Sequence, residues 1–180
     1  MINYPAWFYF PSDQPAPKWA ASFLEVVAGA KDKLDTRTVD ALTSDKVLAV
    51  LRPGLVDLGY EVEAGKKNAQ KIRRPVLFGD QGVERVAYEV DAVQDELGIL
   101  VEIEAGRGAR GNAVYRDLVR ASLIVGATFL VIGVMLEYRI NTGGKTVIVR
   151  SFEDSKNQLD AIYASGRLGL PFQGVLLFGY

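Results

Sequence analysis

The sequence predicts an α/β protein with an α-β-β-β-α-β core, a mixed central sheet flanked by helices. Three observations carry this. Apolar residues recur at helical spacing before residue 59, the period shortens to two between residues 60 and 104, and a later helical pattern leads into a continuous β-branched run at 127–136. With 180 residues, 49% of them hydrophobic and 24% charged, the chain suits one globular domain. Within it, 1–43 is expected to be an N-terminal extension and helix, 44–136 the core, and 137–180 a C-terminal helix and strand.

The elements follow in order. Trp19, Phe23, Val26 and Val27 share one stripe of a first helix over Pro17 to Lys33, after an aromatic, proline-rich lead-in expected to pack on the domain. A second helix starts at TSDKVLAVL, where Thr43 or Ser44 can cap it. Pro53-Gly54 kinks or restarts that helix, and Gly59 ends it. YEVEAG, from Tyr60, is the first strand of the core. A basic loop leads to ERVAYEVDAV and GILVEIEAG, which form a β-hairpin around Gln94 to Leu97. NAVYRDLVRASLIVG is helical, ATFLVIGVML is a buried strand, and a helix near Asp154 to Ser165 and a strand FQGVLLFGY complete the chain.

The composition excludes much chemistry. Without cysteine there is no disulfide and no thiolate metal site, and a cytoplasmic location is favoured. Without histidine, acid-base work and metal binding fall to carboxylates, lysines and tyrosines. Oxygen ligands of that kind suit Mg²⁺ or Mn²⁺. The first residues lack the basic start of a signal peptide, and the longest apolar stretch, Ala121 to Leu136, is interrupted by Ser122, Gly126, Thr128 and Gly133, so no membrane partner is expected. A net charge of −1 gives no global attraction to nucleic acid, which leaves local clusters to supply it.

The hairpin carries the sharpest signal. Glu102 and Glu104 share one face of their strand, as do Glu89 and Asp91 of theirs. A turn centred between Glu96 and Leu97 sets Asp91 opposite Glu102 and Glu89 opposite Glu104. Opposed residues have Cβ atoms roughly 4.5–5.5 Å apart, where like charges repel. A divalent cation relieves that repulsion, and without one at least one carboxylate should have a raised pKa. The competing reading is a solvated polar face, and a one-residue slip would send Asp91 and Glu102 to opposite sides.

Two basic segments flank this hairpin. Lys66, Lys67, Lys71, Arg73 and Arg74 fall within nine residues of the loop after the first core strand and suit a nucleic-acid grip. Arg107 and Arg110 in the glycine loop, with Asn112, Arg116 and Arg120 on the following helix, extend it toward a phosphodiester. Arg116 and Arg120 can instead pair with Asp117 and solvent. The glycine loop GRGARG also matches a dinucleotide-binding fingerprint. Against that stand the two glutamates on the preceding strand, the spacing to Glu137 as ribose ligand, and the few residues left for further parallel strands.

The order helix, strand, strand with Asp91, strand with Glu102-Ile103-Glu104, helix, strand resembles the PD-(D/E)XK nuclease superfamily, the restriction-endonuclease-like fold, over residues 44–136. VEIEAG is most similar to the BamHI and BglII branch of type II restriction enzymes, in which the usual lysine is replaced. The resemblance implies Asp91 and Glu102 as metal ligands, Glu104 where the lysine orients the attacking water, and an acid from the first core helix, here Asp57. It also implies hydrolysis of phosphodiester bonds in double-stranded DNA, with a homodimer suited to symmetric cutting. A catalytically inactive nucleic-acid-binding domain of the same fold is the alternative, and a dinucleotide-binding protein the next.

Overall fold

In a computed structural model, residues 3–106 and 112–180 are described. The continuous apolar run predicted at 127–136 supplies the middle of a six-stranded sheet as β7 (Phe129–Val134). It lies parallel to both β6 (Ile99–Glu104) and β10 (Gly174–Gly179), with Leu130 opposite Leu100 on one side and Val175 on the other. A strand between two such neighbours is buried on both faces, which is why it tolerates no polar alternation. Gly133 reflects the tightness of that centre: a Cβ there would come within 2.4 Å of the Phe178 ring and 2.7 Å of the Ile103 side chain.

Antiparallel strands close both sides of this parallel centre. The aromatic lead-in is itself a strand, β1 (Ala6–Phe10), paired with β10. On the other side lie β5 (Ala92–Gln94) and the two-residue β2 (Glu61–Val62), giving the order β1-β10-β7-β6-β5-β2. The chain is therefore α/β with a mixed central sheet.

Helices cover one face. There α1 (Lys18–Gly29), the short α2 (Lys31–Leu34) and α3 (Ser44–Asp57) pack Phe23, Val27, Leu34, Leu48 and Leu51 against Val101, Ile103, Val131 and Phe178. Thr43 caps α3 by accepting from the Lys46 amide at 3.4 Å, and the helix runs through Pro53 without ending. The other face takes α4 (Ala113–Ser122) and α5 (Ser151–Ser165), which bury Leu118, Ala121, Leu159 and Ile162 on Leu100, Leu130, Ile132 and Leu177.

Two hairpins stand outside the main sheet. The segment expected to be a basic loop and one long strand becomes an arm, β3 (Ile72–Phe78) paired with β4 (Glu84–Val90), whose Ile72 and Val90 reach the α4-side core. Between β7 and α5, where only a link to the last helix was expected, β8 (Tyr138–Thr142) and β9 (Lys145–Val149) form a second hairpin about Gly143-Gly144. No helix among the described residues is long and apolar enough to cross a membrane.

Candidate functional site

The β5–β6 ladder pairs Ala92 with Val101, Val93 with Leu100 and Gln94 with Ile99, the register expected from the turn at Glu96-Leu97. It stops one residue short of Asp91. There the carboxylate takes over from the backbone: Asp91 Oδ2 accepts from the Ile103 amide at 2.7 Å, while the Asp91 carbonyl accepts from the Glu63 amide at 2.8 Å. Freed from β6, the chain before Asp91 turns away as β4. This corrects the expected pair Glu89–Glu104. Glu89 stands opposite Arg73 in the arm, half exposed and 3.8 Å from Lys71.

Along β6, Leu100 packs into the α4-side core while Val101 and Ile103 pack into the other, so alternation turns Glu102 and Glu104 toward α4. Helix α4 meets them with an acid of its own. Val114, Asp117, Leu118 and Ala121 recur at three- and four-residue spacing on its buried side, which carries Asp117 inward until it is 1% exposed. Its Oδ1 accepts from Arg116 Nε at 3.0 Å, and its Oδ2 has no hydrogen-bond partner. Arg116 also bridges to Glu104. Just past β2, the buried Glu63 is held by Lys71 at 2.7 Å. The Glu102 carboxylate makes no hydrogen bond or ion pair with a described residue.

Burial and crowding push these acids toward their neutral forms. Asp91 is raised to about 6, first by burial and then by the charges of Glu63 and Asp117, against the pull of the Ile103 amide. Glu102 is raised well above the usual carboxylate range by burial, then by Asp91 and Asp117. Glu104 rises to about 7 through burial and its neighbour Asp117, with Arg116 opposing. The hydrogen bond to Glu63 lifts the Lys71 ammonium.

A donor set of hard carboxylate oxygens, one with a buried orphan atom, fits Mg²⁺ or Mn²⁺ in chemistry. In this arrangement Arg116 and Lys71 meet the negative charge instead, and among the described residues no three carboxylates are gathered around one point for a metal ion. Asp57 does not take part. It is exposed at the C-terminal end of α3 and is not among the principal charges acting on Asp91, Glu102 or Glu104. The acids that sequence reasoning missed are Asp117, whose place on an apolar helical stripe was a readable signal, and Glu63.

The basic cluster is divided. Lys71 is bound to Glu63, Arg74 to Glu61 and Asp95 at 2.8 and 2.7 Å, and Lys66 to Asp45 at 3.2 Å. Lys67 and Arg73 are exposed and carry no ion pair among the described residues. Asn112 is exposed at the start of α4, while Arg120 reaches the Glu89 carbonyl at 3.3 Å and lies over the Tyr88 ring. Arg107 and Arg110 lie outside the described residues, as does most of the glycine loop. Glu137, the acid a dinucleotide site would need, is 3.0 Å from Arg139. No protein-family model matches this chain, and no curated protein or solved structure shows significant similarity to it.

Proposed function

We propose that the chain is a divalent-metal-dependent nuclease of the PD-(D/E)XK type that hydrolyses phosphodiester bonds in nucleic acid, with double-stranded DNA as substrate. The observation that carries this is that Asp91, Glu102 and Glu104, partly buried, and Asp117, fully buried, lie near enough at the end of β6 for their charges to raise the pKa of the first three, with Asp117 Oδ2 unpartnered. The order α3, β2, β5, β6, α4, β7, with the β3–β4 arm inserted between β2 and β5, supports the restriction-endonuclease-like reading of the core.

Asp91 and Glu102 would hold the ion, with Asp117 as the third acid in place of Asp57. When bound, a divalent ion supplies Lewis acidity toward the phosphodiester and makes water a better nucleophile. Glu104, raised to about 7, is matched to accept a proton from water near neutral pH. Arg116, which bridges to Glu104 and Asp117, would have to leave those carboxylates to a bound cation, and its guanidinium would then be available to a phosphate oxygen. Lys67 and Arg73, exposed and without an ion pair among the described residues, would be free to hold the nucleic-acid backbone.

The test is cleavage of DNA with Mg²⁺ or Mn²⁺ and with chelator. Asp91→Asn and Glu102→Gln should abolish cleavage in a folded protein, and activity that survives both substitutions refutes the assignment. A second reading, a binding domain that does not cut, is favoured by the way Arg116 and Lys71 already neutralise the acids. Metal and DNA binding without cleavage across many substrates would establish it.

A further inference from the structure

Helix α4 carries two arginines one turn apart, and they are held in opposite ways. Arg116 is committed to acids: its Nε donates to Asp117 Oδ1 at 3.0 Å, and its other end bridges to Glu104. Its side chain is 55% exposed, against 15% for Glu104 and 1% for Asp117, so the guanidinium stands between the two carboxylates and solvent. Asp117 Oδ2 is left unpartnered. Arg120, four residues on and therefore a neighbour on the helix surface, has no ion pair among the described residues. The Glu89 carbonyl at 3.3 Å and the Tyr88 ring, 5.3 Å from its guanidinium, steady it without cancelling its charge.

This arrangement handicaps either ligand by itself. Glu104 and Asp117 can serve a cation together only after Arg116 has left them, and the Arg116 fork can take a phosphate only on the same condition. The first ligand to bind works against the full strength of those contacts, while the second meets groups already parted. That is positive coupling, and linkage makes its factor the same in both directions. Arg120 favours one order. Its uncancelled charge can hold a phosphate within reach of Arg116, whereas a cation arriving first meets both arginines. With Arg116 in place, no three carboxylates gather around one point among the described residues, as a closed site requires.

We propose that Arg116 and Arg120 form a phosphate-operated gate on the carboxylate cluster: a phosphodiester backbone held by Arg120 draws Arg116 away and so opens Glu104 and Asp117 to a divalent cation. This rests on the nuclease reading and adds to it an order of binding, nucleic acid before metal.

The test is calorimetric titration of Mn²⁺ into the full chain, alone and saturated with a short phosphorothioate duplex, with the heat of Mn²⁺ on the duplex subtracted. The duplex should tighten Mn²⁺ binding by about tenfold or more, within the ordinary range for coupled sites. Arg116→Met by itself should already bind Mn²⁺ about that much more tightly, and the duplex should then add little. Coupling that came only from attraction between cation and phosphate would survive this substitution unchanged. Arg120→Met should weaken binding of the metal-free chain to the duplex, read by fluorescence anisotropy, and lower the slope of log affinity against log salt by about 0.9. The wild-type comparison needs no substitution and decides the matter even where Arg116→Met fails to fold. Equal Mn²⁺ affinity with and without duplex, or full coupling in Arg116→Met, overturns the gate and leaves the nuclease reading standing. Mn²⁺ binding in neither wild type nor Arg116→Met, with or without duplex, overturns both.

Discussion

Stability of the metal-free protein should fall as pH rises from about 4.5 to 8. An acid whose pKa is raised by folding holds its proton more tightly when folded, so its contribution is complete below its unfolded pKa and is lost as pH passes the folded value. Asp91 moves from 3.8 to about 6 and Glu104 from 4.5 to about 7. At 1.36 kcal/mol per unit, either group alone corresponds to roughly 3 kcal/mol. Burial is the first cause of both shifts and Asp117 a lesser one that they share, so the contributions overlap only in part and a total loss of between about 3 and 6 kcal/mol is the expected scale. Asp35, held well below the usual carboxylate range by Arg37, acts in the opposite sense, but its effect appears only as pH drops below about 4, outside this window. Urea denaturation at intervals across the range, with a constant m-value, reads the effect directly as a falling midpoint. Glu104→Gln should flatten the upper part of the curve. Saturating Mn²⁺ should flatten it further, by adding stability where the carboxylates are ionised, about 2.7 kcal/mol at a hundredfold excess over Kd. A midpoint that stays level or climbs between pH 5 and 8 without metal would refute the account of crowded acids.

Other substitutions separate the parts. Arg116→Met should tighten Mn²⁺ binding, measured by calorimetry, because it removes the cation that competes for Glu104 and Asp117; weaker binding would mean the arginine helps to build the site rather than guards it. Lys67→Ala and Arg73→Ala should each lower the slope of log affinity for DNA against log salt by about 0.7–0.9, whereas Arg74→Ala, bound to Glu61 and Asp95, should leave that slope alone and cost at most about 1 kcal/mol of stability. Gly133→Ala should destabilise by about 2 kcal/mol or more, since its Cβ would meet Phe178 and Ile103 in the sheet centre; an unchanged melting temperature would mean those side chains can yield.

Much of this arrangement was legible from periodicity. The order of the core elements and the β5–β6 register follow from alternation and from one turn, because a single buried face leaves little choice of pairing. The break at Asp91 was not legible. ERVAYEVDAV alternates without interruption, and nothing in that pattern tells a backbone partner from a carboxylate that replaces one. Asp117 was overlooked for a different reason: beside Arg116 it resembled half of a surface ion pair, although its spacing from Val114 and Ala121 put it on the buried stripe. The β8–β9 hairpin was signalled by Gly143-Gly144 between β-branched residues and passed over in favour of the helix that follows. Glu63 had no such signal, since its partner Lys71 reaches it only when the connection eight residues long between them folds back on itself.

The hydrogen bond between Asp91 and the Ile103 amide also makes the protein its own indicator. That amide proton lies within the acid cluster yet belongs to a central strand of the sheet, with Ile103 opposite Gly133, so its resonance can be followed by NMR without adding a label to the site. Its chemical shift should move as Asp91 gains or loses a proton and again as a cation claims the carboxylate, allowing the charge of one half-buried side chain to be read from a neighbouring backbone nitrogen.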